Sequence, residues 1–154
     1  MNKIDNYEKA LKYALWIMGR RNHSEKEIRK KLSRNYTDET VDKVIEKFKS
    51  ENILNDESFA KEWAEFRFNQ HKSKMFVAWE LVGKGIHKDV IAGLIESSGI
   101  DDLENAYRTI ERRIKMYKHL EPAKLKNKIY RYLASRGFSA DIIQEVAERI
   151  LGEK

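Results

Sequence analysis

The four histidines are the residues best suited by type to bind a metal ion or to transfer a proton. They are His23, His71, His87 and His119. None of them lies three or four residues from a second histidine or from a pair of carboxylates, the spacing that places ligands together on one helix face. The sequence therefore predicts no metal site and offers no histidine with a catalytic partner.

Other reactive groups are equally sparse. The chain has no cysteine, and the glycines of 83–85 match neither the dinucleotide-binding spacing nor the phosphate-binding loop. Serines lack the motif of a nucleophile elbow, and carboxylates are spread among lysines as on solvated helix faces. We expect a protein that is not an enzyme and uses no cofactor, although carboxylates from distant segments could still converge in the fold.

The composition indicates a soluble chain of 154 residues, of which 36% are charged and 41% are apolar. No apolar run is long enough to span a bilayer, so no membrane association is expected. The first seven residues lack the layout of a secretory signal, and the absence of cysteine gives no sign of an oxidising compartment. These features predict a cytoplasmic location.

Helices are predicted nearly throughout, because the chain has one proline and seven glycines, most of them where helical periodicity breaks. Apolar residues recur at helical spacing within 7–18 and again, with identical offsets, within 103–114. A partial copy lies in Phe59, Trp63 and Phe66. Three amphipathic helices of one kind are expected.

A second recurrence marks the remainder of each unit: a leucine is followed nine residues later by a β-branched residue and, four after that, by an apolar one. The three sets are Leu32, Val41, Ile45; Leu81, Val90, Leu94; and Leu133, Ile142, Val146. Between the first two members lies a turn-like stretch with Asn35, Gly85 or Gly137, residues that suit the left-handed conformation at a helix end.

Each unit thus has a long helix, a middle helix, a turn and a third helix. We predict an all-α fold of three tandem three-helix repeats, at about 5–52, 53–99 and 100–152, that forms an elongated, curved array. Residues that favour helix starts agree with this division: Ser24 with Glu27, Asp101 with Glu104, Thr37, Ser139 and Pro122.

Charge differs between the helices, within a net charge of +6. The middle segment 24–34 has five basic and two acidic residues, 73–84 has two and one, and 122–136 has five and none. The third segments carry more acid than base, at three against four, one against two, and one against three. A basic face along the middle helices suits an elongated anionic partner, whereas a solvated surface is the simpler interpretation.

Two helices joined by a short turn also describe a helix-turn-helix DNA-binding module. There the last helix would enter the major groove, but phosphates would repel an acidic helix in that position. This pattern disfavours sequence-specific operator binding.

Most aromatic residues fall on the apolar stripes and are expected in the core: Trp16, Trp63, Trp79, Phe59, Phe66, Tyr107 and Phe138. Tyr117, Tyr130 and Tyr132 flank basic residues and are the better candidates for surface contacts.

Five short stretches, in this order and spacing, resemble the RecX family of regulatory proteins. They are RRNHS at 20–24, EIRKKL at 27–32, LNDESFA at 54–60, ELVGKGI at 80–86 and RGFS at 136–139. The resemblance extends from Ala14 to about Ile150. The chain departs from the family at 34–36, where a longer turn with glycine is usual.

The resemblance implies tandem three-helix repeats without a catalytic site. It also implies binding in the groove of the RecA filament on single-stranded DNA, with restraint of the recombinase, ATPase and coprotease activities of RecA in DNA repair and the SOS response. We expect a monomer. Basic residues from all three repeats are the expected contacts with the RecA filament, or with DNA in it: Arg20, Arg21, Arg29, Lys30, Lys72, Lys74, Lys84, Arg131 and Arg136.

Two alternatives remain open at this point. A basic helical module could bind DNA or RNA directly, with affinity that falls steeply as salt rises. A helical scaffold could instead bind an unrelated acidic protein.

Overall fold

The computed structural model describes residues 2–152 and places nine helices within them. In chain order they are α1 (Tyr7–Arg20), α2 (Glu25–Leu32), α3 (Asp38–Ser50), α4 (Asp56–Asn69), α5 (Lys74–Gly83), α6 (Lys88–Ser97), α7 (Asp102–Tyr117), α8 (Pro122–Ser135) and α9 (Ala140–Gly152). Across 2–152 the only extended pairing is an isolated parallel bridge between Ile4 and Tyr36. The predicted all-α fold, with three groups of three helices in tandem, is confirmed.

The residues predicted to start helices do so. At α2, the Ser24 hydroxyl accepts a hydrogen bond from the Glu27 amide at 3.2 Å, and the Glu27 carboxylate accepts one from the Ser24 amide at 3.0 Å. This reciprocal pair satisfies two amides that a helix start leaves without partners. The other predicted starts also lie at their helices: Thr37 before α3, Asp101 before α7, Pro122 in the first turn of α8 and Ser139 before α9.

Two of the three predicted left-handed turns are present. Gly85 has φ +80° after α5, and Gly137 has φ +89° after α8. The expectation for Asn35 is wrong, because its φ is not positive. The helix end closes instead with a turn in which the amides of Asn35 and Tyr36 donate to the Leu32 carbonyl, and Ile4 binds the backbone of Asn35 at 2.7 Å and of Thr37 at 3.1 Å.

The chain divides into two compact units. The first contains the described residues up to Trp63 together with Leu81–Ile91, and the second contains Ala64–Glu80 together with the described residues from Ala92 onward. The repeat boundaries 5–52, 53–99 and 100–152 concern chain order rather than compactness, and they stay a prediction.

The core of the first unit lies between α1, α2 and α3. Ile28, Leu32 and Phe48 are fully buried there, beside Ala10 and Ala14. The alanines of α1 let the larger side chains of the other two helices approach closely. Each fully buried large side chain contributes roughly 1.5–3 kcal/mol of hydrophobic free energy.

The core of the second unit lies between α7, α8 and α9. Leu125, Ile129 and Leu133 follow one face of α8 at helical spacing and are at most 2% exposed. Val146 of α9 and Ile110 of α7 are fully buried against them. This face is apolar, which leaves the lysines of α8 for the opposite side.

The expectation that the aromatic residues are core is wrong for three of them. Trp16 is 58% exposed, Phe66 52% and Trp79 72%. On α5 the reason is that apolar residues occupy both sides, and Val77 and Leu81 take the buried one. Periodicity identifies an apolar residue but does not tell which of two apolar faces is packed.

None of the helices in 2–152 is both long and apolar enough to cross a bilayer. The same residues hold no group of three or more histidine and carboxylate side chains placed to share a metal ion.

Candidate partner-binding surfaces

Arg20 and Arg21 lie at the end of α1 and differ in how their charge is engaged. The Arg20 guanidinium lies over the Trp16 ring, 5.0 Å from its centroid. The Arg21 Nη2 is 3.0 Å from the Glu27 carboxylate, and its Nη1 donates to the Asn22 carbonyl at 2.8 Å. Arg21 is thus held within the first unit, whereas Arg20 makes no ion pair with a described residue.

Arg29 and Lys30 are neighbours on α2 with different surroundings. Arg29 lies between two acids, with its Nη1 2.5 Å from Asp42 and its Nη2 3.8 Å from Glu25. Lys30 is exposed and has no acidic partner among the described residues. A partner would compete with internal acids for Arg29 but not for Lys30.

Lys84 is engaged inside the first unit. Its ammonium is 3.1 Å from the Glu27 carboxylate and lies 4.1 Å from the centroid of Trp63 and 5.7 Å from that of Phe59. Its side chain is 20% exposed. Lys84 therefore stabilises this unit, and its expected contact with a partner stays a prediction.

The Glu27 carboxylate accepts hydrogen bonds from two cations and one backbone amide. Burial alone would raise the pKa of its carboxyl, but hydrogen bonds from Arg21, the Ser24 amide and Lys84 together lower that pKa to about 2. Glu27 is consequently ionised throughout the neutral and mildly acidic range.

Lys72 and Arg136 come together in the second unit, although 64 positions separate them. Arg136 donates to the Gln70 carbonyl and to the Tyr132 hydroxyl, both at 3.2 Å, and the Lys72 ammonium lies 4.5 Å from the Phe76 centroid. Burial lowers the pKa of Lys72, and the nearby charge of Arg136 lowers it further. This is a cluster of cations on aromatic rings.

Two arginines of the same cluster were not predicted as site residues. Arg67 pairs with Glu80 through two bonds of 2.7 and 2.8 Å, and its guanidinium lies 5.5 Å from the Phe76 centroid. Arg113 lies 4.2 Å from the Tyr132 centroid. These contacts join different helices, so spacing along a single helix gives no signal for them. The expectation that Tyr132 flanks surface cations did point to this place.

Lys74 and Arg131 have simpler environments. The Lys74 amide, at the start of α5, donates to the Asp102 carboxylate at 3.1 Å. Burial raises the pKa of the Asp102 carboxyl despite that hydrogen bond. Arg131 is exposed and has no ion pair with a described residue.

The outer side of α8 is a cationic surface without internal acids. Lys124, Lys128 and Arg131 are exposed, and none of them pairs with an acid within 2–152. Because these cations are exposed and unpaired, they remain available for an anionic partner.

An exposed apolar surface lies on α5. Met75 is 64% exposed and Trp79 is 72% exposed, one helical turn apart. Tryptophan is enriched among the residues that dominate protein–protein binding energy. A tryptophan this open to water is a candidate contact with a protein partner.

Three family models match the chain in tandem. Residues 10–48 match the first three-helix domain of RecX, 55–93 the second and 100–147 the third.

Individual relatives agree with these matches. A protein of Clostridioides difficile named regulatory protein RecX is 31% identical over 147 residues, which cover 94% of this chain and 69% of the relative. A protein of the same name from Prosthecochloris aestuarii is 31% identical, with 93% and 94% covered. The crystal structure of RecX from Lactobacillus salivarius superimposes with a TM-score of 0.75 at 23% identity and covers 93% of this chain, which shows a shared fold.

Proposed function

The chain belongs to the RecX family of regulatory proteins, and from this membership we propose that it is a non-enzymatic regulator of the RecA recombinase. In this proposal it binds the RecA filament on single-stranded DNA and restrains the recombinase, ATPase and coprotease activities of RecA in the cytoplasm.

The observation that carries this proposal is the outer face of α8. Its exposed cations Lys124, Lys128 and Arg131 have no acidic partner among the described residues. Unpaired cations attract a polyanionic assembly from a distance and accelerate encounter, without first having to break internal ion pairs. A RecA filament loaded with single-stranded DNA is such an assembly.

The predicted contact residues differ in whether they already form an ion pair within the protein. Arg20, Lys30 and Arg131 have no internal acid to leave, whereas Arg29 and Lys84 have acids at hydrogen-bonding distance. Moving a cation from an internal acid to a partner exchanges one interaction for another, so the net gain is small. We therefore expect Arg20, Lys30 and Arg131 to contribute more to binding than Arg29 and Lys84.

Charge reversal on α8 tests the proposal. We expect Lys124→Glu combined with Lys128→Glu and Arg131→Glu to raise the concentration for half-maximal inhibition of RecA at least roughly tenfold. RecA ATP hydrolysis on single-stranded DNA is the measurement, together with cosedimentation of the variant with filaments.

The matched control reverses three exposed lysines elsewhere, Lys9, Lys12 and Lys43. It changes the net charge by the same amount, and we expect it to inhibit almost like the unmodified protein. An equal loss of inhibition in both variants would show that net charge, and not the α8 surface, determines inhibition. Full inhibition by the α8 variant would contradict the proposed surface.

Direct binding to nucleic acid is the second candidate, because an exposed tryptophan lies beside cations at the end of α1. It predicts salt-dependent binding to nucleic acid without RecA. A scaffold for an unrelated acidic protein predicts instead that RecA is absent from pull-downs.

A further inference from the structure

A groove in the first unit brings aromatic and cationic side chains together. It is formed by the end of α1, the connection at 21–24 and α2, and it has a volume of about 410 Å³. Trp16, Arg20 and Lys31 contribute to its walls, as do Tyr13 and His23. Its volume lies within the range of roughly 300–1,000 Å³ that is typical of small-ligand sites.

One wall of the groove is a stacking surface. The rings of Tyr13 and Trp16 lie nearly parallel, with centroids 6.2 Å apart and planes 19° apart. Trp16 is 58% exposed even though Arg20 lies over its ring. An indole that is open to this extent can accept a second planar group on its free surface.

The charge of the groove is positive. No carboxylate lines it, and neither Arg20 nor Lys31 pairs with an acid among the described residues. Arg21 is partly neutralised by Glu27 but leaves 47% of its side chain exposed. Cations beside an aromatic surface are complementary to a planar base that carries a phosphate.

His23 adds a buried acceptor to the groove. It is 2% exposed, and its Nδ1 donates to the Arg21 carbonyl at 2.8 Å, which leaves Nε2 as an acceptor. Nε2 has no hydrogen-bond partner within 2–152. A buried acceptor without a partner costs free energy, and His23 is one of the residues that line the groove.

We infer that this groove is a binding site for one nucleotide of a single-stranded nucleic acid, with the base stacked on Trp16 and the adjacent phosphate held by Arg20 and Lys31. Single strands fit better than duplex, because a paired base has both faces covered by its neighbours and offers none to an indole. Arg20 is shared with the proposed RecA contacts, but the tests below contain no RecA, so this inference and the proposed function can fail separately.

Fluorescence anisotropy with labelled oligo(dA) and oligo(dC) tests the stack. We expect Trp16→Leu to weaken binding roughly tenfold, as the loss of one base–aromatic stack should. Phe66→Leu removes a comparably exposed aromatic ring on α4, and we expect no change from it. Quenching of intrinsic fluorescence by the oligonucleotide should be lost in the first variant and kept in the second.

The phosphate contact is tested by salt dependence. Arg20→Gln should lower the magnitude of the slope of log K against log salt by about 0.7, the contribution of one phosphate on a single strand. Lys12→Gln, an equal charge change at an exposed position of the same helix, should leave the slope unchanged.

Three results would overturn the inference. The first is unchanged oligonucleotide binding by Trp16→Leu. The second is an equal loss of duplex binding in that variant. The third is an equal loss of binding to poly-glutamate, which would make the groove a site for acidic protein segments. Circular dichroism checks the fold, and because Trp16 and Arg20 are exposed we expect both variants to fold.

Discussion

At the scale of single residues, Glu27 both caps α2 and forms ion pairs with two residues outside that helix, although its capping motif indicates only the first role. Its backbone and carboxylate complete the cap of α2, while the same carboxylate binds Arg21 at the end of α1 and Lys84 at the end of α5. The Lys84 contact spans 57 positions. The sequence predicts the cap from local spacing, but a pair between distant residues leaves no local signal.

Glu27 should make the stability of the protein depend on pH in a defined direction. The pKa of its carboxyl is about 2 in the folded chain against an ordinary 4.5, so ionised Glu27 stabilises the fold fully above 4.5. This stabilisation is lost as the pH falls from 4.5 through about 2. At pH 7 we expect Glu27→Gln to lower the free energy of unfolding by about 3 kcal/mol, measured by urea unfolding.

The same measurement near pH 2 should find the two proteins much closer in stability. Glu46→Gln is the matched control, because Glu46 is exposed on α3 and has no ion pair with a described residue. A pH-independent difference for Glu27→Gln would contradict the assigned charge network.

At the scale of elements, the sequence predicts which segments are helical but not which face of every helix is buried. The recurring apolar offsets and the capping residues are local, and they locate the nine helices of 2–152. The second copy of the first pattern fails at Phe66, which is 52% exposed. On α5 the exposed Trp79 and the buried Leu81 are equally apolar, so only the packed structure distinguishes them.

The sequence likewise predicts a candidate surface that lies on one helix but not one that several segments form together. The sequence predicts the exposed cations of α8, because a helix with five basic and no acidic residues in 122–136 can bury only its apolar stripe. It does not predict that Lys72 and Arg136 share a cluster with Arg67, since three different segments supply them.

The turn after α8 depends on a residue without a side chain. Gly137 has φ +89°, and a Cβ there would lie 2.5 Å from the Cβ of Phe76 and 2.9 Å from the hydroxyl of Ser73. Ser73 also donates to the Gly137 carbonyl at 2.5 Å. We expect Gly137→Ala to destabilise the protein by at least about 2 kcal/mol, because it adds both backbone strain and overlap. Thermal and urea unfolding would measure the loss.

Gly19→Ala is the control for that substitution. Gly19 lies within α1, and a Cβ there would meet nothing within 4 Å. Alanine favours a helix more than glycine does, so this variant should gain up to about 1 kcal/mol. A loss in Gly19→Ala similar to that in Gly137→Ala would show that the expected effect is not specific to the turn.

At the scale of the whole molecule, two compact units share a chain of 154 residues with a net charge of +6. The family models divide the same chain into three consecutive regions. A sequence repeat records the order of similar segments, whereas a compact unit records which segments pack together. The two divisions therefore answer different questions, and sequence periodicity addresses only the first.

We expect the protein to be a monomer in solution. An excess of like charge opposes self-association at low salt. Sedimentation equilibrium should give a mass near 18.3 kDa across micromolar concentrations. A concentration-dependent rise towards twice that mass would contradict the expectation and would direct attention to the exposed Met75 and Trp79 of α5.

The bridge between Ile4 and Tyr36 has a consequence for the start of α3. Both backbone groups of Ile4 are committed, to Asn35 and to Thr37, and the adjacent Asp5 accepts a hydrogen bond from Thr40 at 3.0 Å. Slow hydrogen exchange of the Ile4 and Thr37 amides would be the measurable sign of these hydrogen bonds. Deleting Ile4 and Asp5 would remove these hydrogen-bond partners from the start of α3.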